Sequence, residues 1–207
     1  RYKKDKFEIS EDKYKKLELL KKSILNLKNC NLKKQAKNIV FSDGNPKSKI
    51  MLIGEAPGAN EDDEGLPFVG RAGQLLDKML HAINLNRNNV YITNVVNYRP
   101  PENRRPTDQE IERYLPFLKK HIEIINPKIV LLLGSTAMNA IINGDDVISK
   151  VRGKWYKISI NKIKPYFIVS FHPAYLLRQP DQKKLSWVDL KMIRDKIKNL
   201  SIKIEKI

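Results

Sequence analysis

The stretch that decides the fold is residues 50–58, IMLIGEAPG. Its first four residues form a short, continuously apolar run that ends at a glycine, which is typical of a strand covered on both faces of a sheet. Similar runs follow at residues 90–96, 129–133 and 166–171, and a segment with helical spacing separates each run from the one before. This alternation predicts an α/β fold, a three-layer α/β/α sandwich with a central parallel sheet of about four strands.

Helices are predicted at both ends of the chain and between the strands. Apolar residues at spacings of three and four indicate an amphipathic first helix: Tyr14, Leu17, Leu20, Ile24 and Leu27. Before it, residues 1–10 are polar and are expected to be loose. Further helices are predicted near residues 72–83, 107–125, 135–143 and 186–199. Thr107 and Glu110 form a capping box at the start of one helix. Ser186 and Asp189 offer a weaker, acidic version at the start of another.

Composition favours one domain over residues 1–207, because a chain of 207 residues with 41% apolar content is long enough for one substantial core. No stretch approaches the roughly 18 uninterrupted apolar residues that cross a bilayer, and the first residues lack the apolar segment of a signal peptide. We therefore expect a soluble, cytoplasmic monomer with no membrane partner. The single cysteine, Cys30, excludes an internal disulfide and a four-thiolate metal site.

The net charge is strongly positive. The chain has 40 lysines and arginines and 23 acidic residues, which gives a net charge of +17. Such a surplus favours a polyanionic partner, and nucleic acid is the first candidate. A biased composition that scatters lysine over every solvated face explains the same numbers equally well. Charge alone therefore narrows the partner without identifying it.

Chemistry is expected at the loops that leave the strands, because ligands bind beyond the carboxyl ends of parallel strands. The loop at residues 54–70 crowds five carboxylates among four glycines and two prolines, and a loop of that length is usually functional. Asn94 follows the second strand and His172 the fourth. Each residue alone has an ordinary explanation: solvation of a surface loop, a turn at a strand end, or a satisfied core histidine. Three such segments at one rim favour a common site.

These segments together resemble the family 4 uracil-DNA glycosylases. The resemblance runs from about Cys30 to about Trp187 and rests on the order and spacing of several motifs. The motifs are GEAPG at 54–58, PFVGRAGQLLD at 67–77, YITNVV at 91–96, RPPENRRPT at 99–107, VRGKWY at 151–156 and FHPAYLLR at 171–178.

The resemblance implies three catalytic residues. Cleavage of the glycosidic bond builds positive charge on the sugar and negative charge on uracil O2, so a carboxylate and a donor are required. By resemblance, His172 donates to the departing uracil, and Glu55 stabilises the sugar or positions water. Whether Glu55 or Glu61 positions the water stays open at this point. Ala56 stands near the place where relatives outside this branch carry a polar residue.

The resemblance also implies how the base is recognised. Asn94 pairs with uracil N3 and O4, Phe68 stacks on the everted ring, and Gly54 and Ala56 line the uracil site. A buried amide mismatched against cytosine rejects it by roughly 10⁴-fold. Glu61 blocks the position of the thymine methyl group.

Everting a nucleotide from uracil-containing DNA costs a few kcal/mol. Binding therefore requires a wedge, which is a side chain that fills the vacated base stack, and contacts that hold the DNA backbone. Leu176 or Leu177 is the candidate wedge. The candidate contacts with the DNA backbone are Arg178, Arg104, Arg105 and Asn103. For any one arginine, ordinary solvated charge is an equally good explanation.

The chain departs from the family at the four cysteines that generally hold a four-iron, four-sulfur cluster (4Fe-4S). Cys30 matches one of them, and Leu27, Tyr98 and Tyr114 occupy the other three places. Neither leucine nor neutral tyrosine supplies a thiolate, so we predict no cluster and no other cofactor or metal. Packing of these side chains is expected to take over the cluster's structural role.

Three functional hypotheses follow. The first is a monofunctional glycosylase that leaves an abasic site, since no lysine is placed by motif for Schiff-base chemistry. The second is a binder or trap of uracil-DNA that has lost turnover. The third, a small-molecule nucleotide enzyme, ranks low because the glycine-rich loop matches neither common phosphate-binding motif.

Overall fold

A six-stranded sheet runs through the centre of the computed structural model, which describes residues 2–142 and 146–204, with side chains from Asp12 onward. In that described part of the chain the strands are β1 (Asp43–Gly44), β2 (Ile50–Gly54), β3 (Tyr91–Asn94), β4 (Ile129–Leu133), β5 (Trp155–Lys157) and β6 (Tyr166–Ser170). Their order across the sheet is β1-β3-β2-β4-β6-β5.

The four central strands, β3, β2, β4 and β6, are mutually parallel, as predicted. The sheet is larger than expected and mixed, because β1 and β5 add an antiparallel strand at each edge. These edge strands are two and three residues long and carry no apolar run, so hydrophobic pattern gives no sign of them.

The longer helices lie close to their predicted positions. The helices are α1 (Tyr2–Leu25), α2 (Asn31–Gln35), α3 (Ala59–Glu64), α4 (Arg71–His81), α5 (Asp108–Ile125), α6 (Ser135–Ile141), α7 (Ile148–Val151), α8 (Pro173–Arg178) and α9 (Lys183–Asn199). Because α1 begins at Tyr2, the prediction of a loose segment is wrong for residues 2–10. The predicted end of α6, at residue 143, lies outside the described residues.

The sheet divides the core into two parts, which produces the predicted three layers. Met51 and Ile53 of β2 pack on one face with apolar side chains of α1 and α5. Ile50 and Leu52 point to the other face, where α4 and α9 cover them. All four side chains are at most 1% exposed, so both faces of β2 are buried.

Helix starts were predicted correctly in one case and wrongly in another. Thr107 accepts from the Glu110 amide and Glu110 accepts from the Thr107 amide, which is the predicted capping box. Ser186 and Asp189 do not cap α9, which begins earlier, at Lys183; both are buried within it. Asp189 instead forms a buried ion pair with Arg152.

Among the helices in the described part of the chain, none combines the length and apolar character that crossing a membrane requires.

Candidate active site

The carboxyl ends of the parallel strands bring three predicted site residues together. Glu55 follows β2, Asn94 ends β3, and His172 lies two residues beyond β6. All three line one cavity of about 170 Å³, together with Phe68. A nucleobase-sized space bounded by a carboxylate, an amide and an imidazole is therefore present at the predicted rim.

The imidazole of His172 has a defined tautomer. Its Nδ1 accepts a hydrogen bond from the Ala174 amide at 3.1 Å, at the first turn of α8, so the ring proton sits on Nε2. Burial lowers the pKa of His172 to about 4; the charge of Arg178 adds to the lowering and that of Glu61 opposes it. At neutral pH His172 is an uncharged donor through Nε2.

The side chain of Asn94 is buried without a partner for its oxygen. It is 3% exposed, and no described group donates to Oδ1. Its neighbour across the sheet is Gly54, where a Cβ would overlap Asn94 Oδ1 and the Phe68 ring. Glycine at position 54 is thus required for the amide and the ring to approach each other. An unsatisfied buried acceptor on a cavity is a site for an N–H donor from a ligand.

The aromatic ring on the cavity is held in an uncommon backbone conformation. Phe68 has φ of 56° and its ring stacks with that of His172 at 5.5 Å between centroids. Arg87 donates to the carbonyls of Pro67, at 3.0 Å, and Phe68. Gly73 of α4 lies so close to the Phe68 carbonyl that any Cβ there would collide with it. The ring is therefore fixed before any ligand binds.

Arg87 reaches the turn at Phe68 from the loop before β3. Its guanidinium also pairs with Asp43 at 2.7 Å and with Asp77 at 2.9 Å. These contacts join β1, α4 and the turn into one unit.

Glu61, predicted to be catalytic, is engaged with its own loop. Its carboxylate accepts hydrogen bonds from the amides of Gly58 at 3.1 Å and of Val69 and Gly70, both at 2.9 Å. Both oxygens are therefore occupied. Glu61 lines the cavity, and these hydrogen bonds tie its carboxylate to the loop around Phe68.

Glu55 differs from Glu61 in that one of its two carboxylate oxygens accepts no hydrogen bond from a described residue. Thr136 at the start of α6 donates its hydroxyl to Oε2, while no described residue donates to Oε1. Glu55 also lines a second, larger cavity of about 820 Å³ that shares His172 and Asn103 with the first. Ala56 lies beside it on the smaller cavity. Glu55 therefore lies between the two cavities.

The structure separates the two candidate wedge leucines. Leu176 is 1% exposed and packs into the core, so the prediction that it could fill a DNA stack is wrong for this residue. Leu177 is 36% exposed and remains a candidate.

The predicted DNA-contacting polar residues differ in how they are held. Arg178 is exposed on the wall of the larger cavity. Arg104 lines the smaller cavity and pairs with Glu110 at 2.8 Å, while Asn103 accepts from Arg99. Arg105 is exposed, and its guanidinium forms no hydrogen bond or ion pair with a described residue. None of them is buried.

Comparison with known proteins identifies the family of this chain. The family model described as the uracil DNA glycosylase superfamily matches residues 41–194. The type-4 uracil-DNA glycosylase of Sulfurisphaera tokodaii is 42% identical over 184 residues, which cover 86% of this chain and 84% of that protein. The chain belongs to the type-4 uracil-DNA glycosylase family. The type-4 enzymes of Archaeoglobus fulgidus (41% identical; 83% of this chain, 88% of that protein) and Thermotoga maritima (42%; 78% and 83%) are also similar.

The positions that correspond to the family's cluster cysteines are filled by packed side chains. Cys30, Tyr98 and Tyr114 are 4%, 3% and 1% exposed, and Leu27 packs against the same part of the core. The Cys30 sulfur lies 3.3 Å from the Tyr114 hydroxyl.

Metal ligation does not fit this arrangement. Burial raises the pKa of Tyr114, and a hydrogen bond with Cys30 adds to the effect; burial likewise raises that of Tyr98. Both phenols stay protonated at neutral pH. With one thiol, one leucine and two neutral phenols, these residues do not fit a four-iron cluster.

Sequence reasoning missed three residues that shape the site. Thr136 lies in the first turn of α6, just beyond β4, where chemistry was expected, but no residue there was singled out. Arg87 has no motif that connects it to Phe68. Arg152 lies in the VRGKWY motif, but the motif alone does not indicate what Arg152 contacts or binds.

Proposed function

We propose that this chain is a uracil-DNA glycosylase that everts deoxyuridine from DNA and hydrolyses the N-glycosidic bond, leaving an abasic site for base excision repair. The observation that carries the proposal is the buried, unpartnered Oδ1 of Asn94 on the same small cavity as the Nε2–H of His172 and the carboxylate of Glu55. Membership of the type-4 family supports it.

Asn94 supplies base recognition. Uracil presents an N3–H donor beside the O4 acceptor, so Oδ1 of Asn94 accepts from N3 while its amide nitrogen donates to O4. Cytosine presents an acceptor at N3 and a donor at its exocyclic amine, and would leave the amide mismatched in a buried site. Phe68, already fixed, stacks on the everted ring.

His172 and Glu55 carry the bond cleavage. As the bond between C1′ and N1 breaks, its electron pair leaves with uracil, and the developing charge on O2 meets the Nε2–H of His172. The carboxylate of Glu55 stabilises the cationic sugar. Water adds to C1′, and its proton passes to Oε1 of Glu55, the oxygen to which no described residue donates. Glu61 acts indirectly, by holding the loop that carries Phe68 next to the base.

The reaction ends at the abasic site. No lysine is among the described residues that line either cavity, so the site offers no amine for a Schiff base with the opened sugar. We therefore expect an intact DNA strand after base release.

Incubation with a uracil-containing oligonucleotide tests the proposal. Release of free uracil is expected, with at least about 100-fold loss in Glu55→Ala, Asn94→Ala and His172→Ala. Glu64→Ala, an exposed change at the end of α3, serves as the control and keeps full activity. A stable complex that releases no uracil would instead indicate the binder, and absence of both would refute the proposal.

A further inference from the structure

The larger cavity, about 820 Å³, is not lined by Asn94 or Phe68, the two residues to which the proposed function gives recognition and stacking of the base. It adjoins the smaller one, because Glu55 and His172 line both. The residues that line it include Arg152, Arg178 and Ser149, and Glu55 is the one acidic residue among the described residues that line it. The cavity is therefore suited to an anion.

Arg152 is the more rigid of the two arginines. It follows α7, and its side chain is 13% exposed. Nε donates to Asp189 at 3.1 Å, and Nη2 donates to Asp189 and, at 2.7 Å, to the Leu185 carbonyl. The guanidinium lies 5.7 Å from the centre of the Phe171 ring. These contacts fix its plane and its position.

One nitrogen of this guanidinium stays unused. No described residue accepts from Nη1 of Arg152, whereas Nε and Nη2 are both engaged. Asp189, which holds the other side, is fully buried and also accepts from Ser170 at 2.7 Å. Arg152 is therefore a preorganised residue of the cavity lining with one donor group to spare, and preorganisation reduces the cost of binding.

We propose that Arg152 binds, through Nη1, a phosphate of the DNA strand next to the everted nucleotide. This inference rests on the proposed function. With the base in the smaller cavity, its sugar lies at Glu55, and the chain of the DNA continues into the larger cavity that Glu55 also borders. A phosphodiester is the anion that a nucleotide places there, and guanidinium is well matched to its oxygens. Because Asp189 offsets much of the charge of Arg152, the contact acts mainly as a hydrogen bond.

Neutralising phosphates one at a time distinguishes this role from simple packing of α7 against α9. Oligonucleotides carry a non-cleavable 2′-fluoro-deoxyuridine and one methylphosphonate, moved stepwise along the strand, and binding is measured for each. For the unaltered protein, one position beside the uridine is expected to weaken binding about tenfold, as loss of a charged hydrogen bond does.

Arg152→Lys is the decisive variant. Lysine keeps a positive charge for Asp189 but cannot also supply the separate Nη1 donor. The penalty at that one position is expected to fall to about twofold while the penalties elsewhere persist. Arg152→Gln is expected to give the same profile, and Arg194→Gln, an exposed change on α9, is expected to leave the profile unaltered.

The outcomes separate the inference from the proposed function. An identical neutralisation profile in Arg152→Lys and the unaltered protein overturns the role of Arg152, even if uracil is released normally from unmodified DNA. Failure to release uracil with an altered profile overturns the glycosylase but keeps the phosphate contact. Failure to bind the oligonucleotide together with failure to release uracil from unmodified DNA overturns both.

Discussion

The backbone amide of Ala174 donates a hydrogen bond to Nδ1 of His172 over 3.1 Å. This bond leaves the ring proton on Nε2, the nitrogen that donates to uracil O2 in the proposed function. Burial lowers the pKa of His172 to about 4, so the neutral ring persists well below neutral pH. As the pH falls through that value, Nδ1 takes up a proton and the Ala174 amide loses its acceptor.

The pH dependence of activity follows from this arrangement. We expect kcat/KM for uracil release to show no loss assignable to His172 between about pH 8 and pH 5, and a decline toward about pH 4. His81→Gln removes an exposed histidine as a control and should leave the profile unchanged. A limb near the ordinary histidine pKa that survives in His81→Gln would contradict the lowered pKa of His172.

The side chain of Asn94 is expected to support uracil release without stabilising the fold. Asn94→Ala removes a buried oxygen that lacks a partner, so the free energy of unfolding should stay equal or rise by about 1 kcal/mol while uracil release falls at least about 100-fold. Asn97→Ala is the matched control: Asn97 is 4% exposed and donates to the Val40 carbonyl. That variant should lose about 1 kcal/mol and keep its activity. Denaturant unfolding beside a glycosylase assay measures both.

Glu61 is expected to act through the loop that carries Phe68. Glu61→Gln weakens hydrogen bonds to the Val69 and Gly70 amides, because an amide oxygen is a poorer acceptor than a carboxylate. Hydrogen exchange at these two amides should accelerate, and kcat/KM should fall with it. Glu64→Gln, at the exposed end of the same helix, should change neither. A loss of activity without faster exchange would show that Glu61 has a direct chemical role.

Leu177 is expected to matter for duplex DNA. Its side chain is 36% exposed on α8, close to Arg178, whereas Leu176 is buried. Leu177→Ala should reduce uracil release from a duplex by about tenfold and from a single strand much less, because a single strand has no base stack to refill. Leu19→Ala, 63% exposed on α1, provides the comparison and should affect neither substrate. Equal losses on both substrates would rule out a wedge.

The packed side chains at Cys30 predict a protein without iron. Anaerobically purified protein should lack stoichiometric iron and visible absorption, and a thiol reagent should label Cys30 only on unfolding, since the thiol is 4% exposed. Tyr114→Ala should lower the free energy of unfolding by about 3 kcal/mol or more through the cavity it leaves. A brown protein with four irons per chain would refute this expectation.

The parallel core of the fold was readable from sequence because its strands are buried on both faces. Runs such as residues 50–53 and 129–133 are continuously apolar, and no polar pattern competes with that signal. The edge strands were missed for the opposite reason, since β1 is Asp43–Gly44 and its pairing is set by neighbours rather than by its own side chains.

The candidate site was predictable where residues lie at the carboxyl ends of parallel strands. Glu55 follows β2, Asn94 ends β3 and His172 lies two residues beyond β6, so topology alone brings them together. Leu176 and Leu177 show the limit: adjacent leucines on a short helix point in different directions, and only the packing of α8 decides which is buried. Asp189 was misread because an acid near a helix start fits a cap, while its partner Arg152 lies 37 positions away.

The attachment of Arg87 to the turn at Phe68 has a consequence for variants of this protein. Arg87 reaches neither cavity, yet the stacking ring depends on its bonds to Pro67 and Phe68 and on the pairs with Asp43 and Asp77. An allele altered at any of these three charged residues can therefore produce a well-folded protein that fails in repair, although a survey confined to pocket residues would score it as harmless.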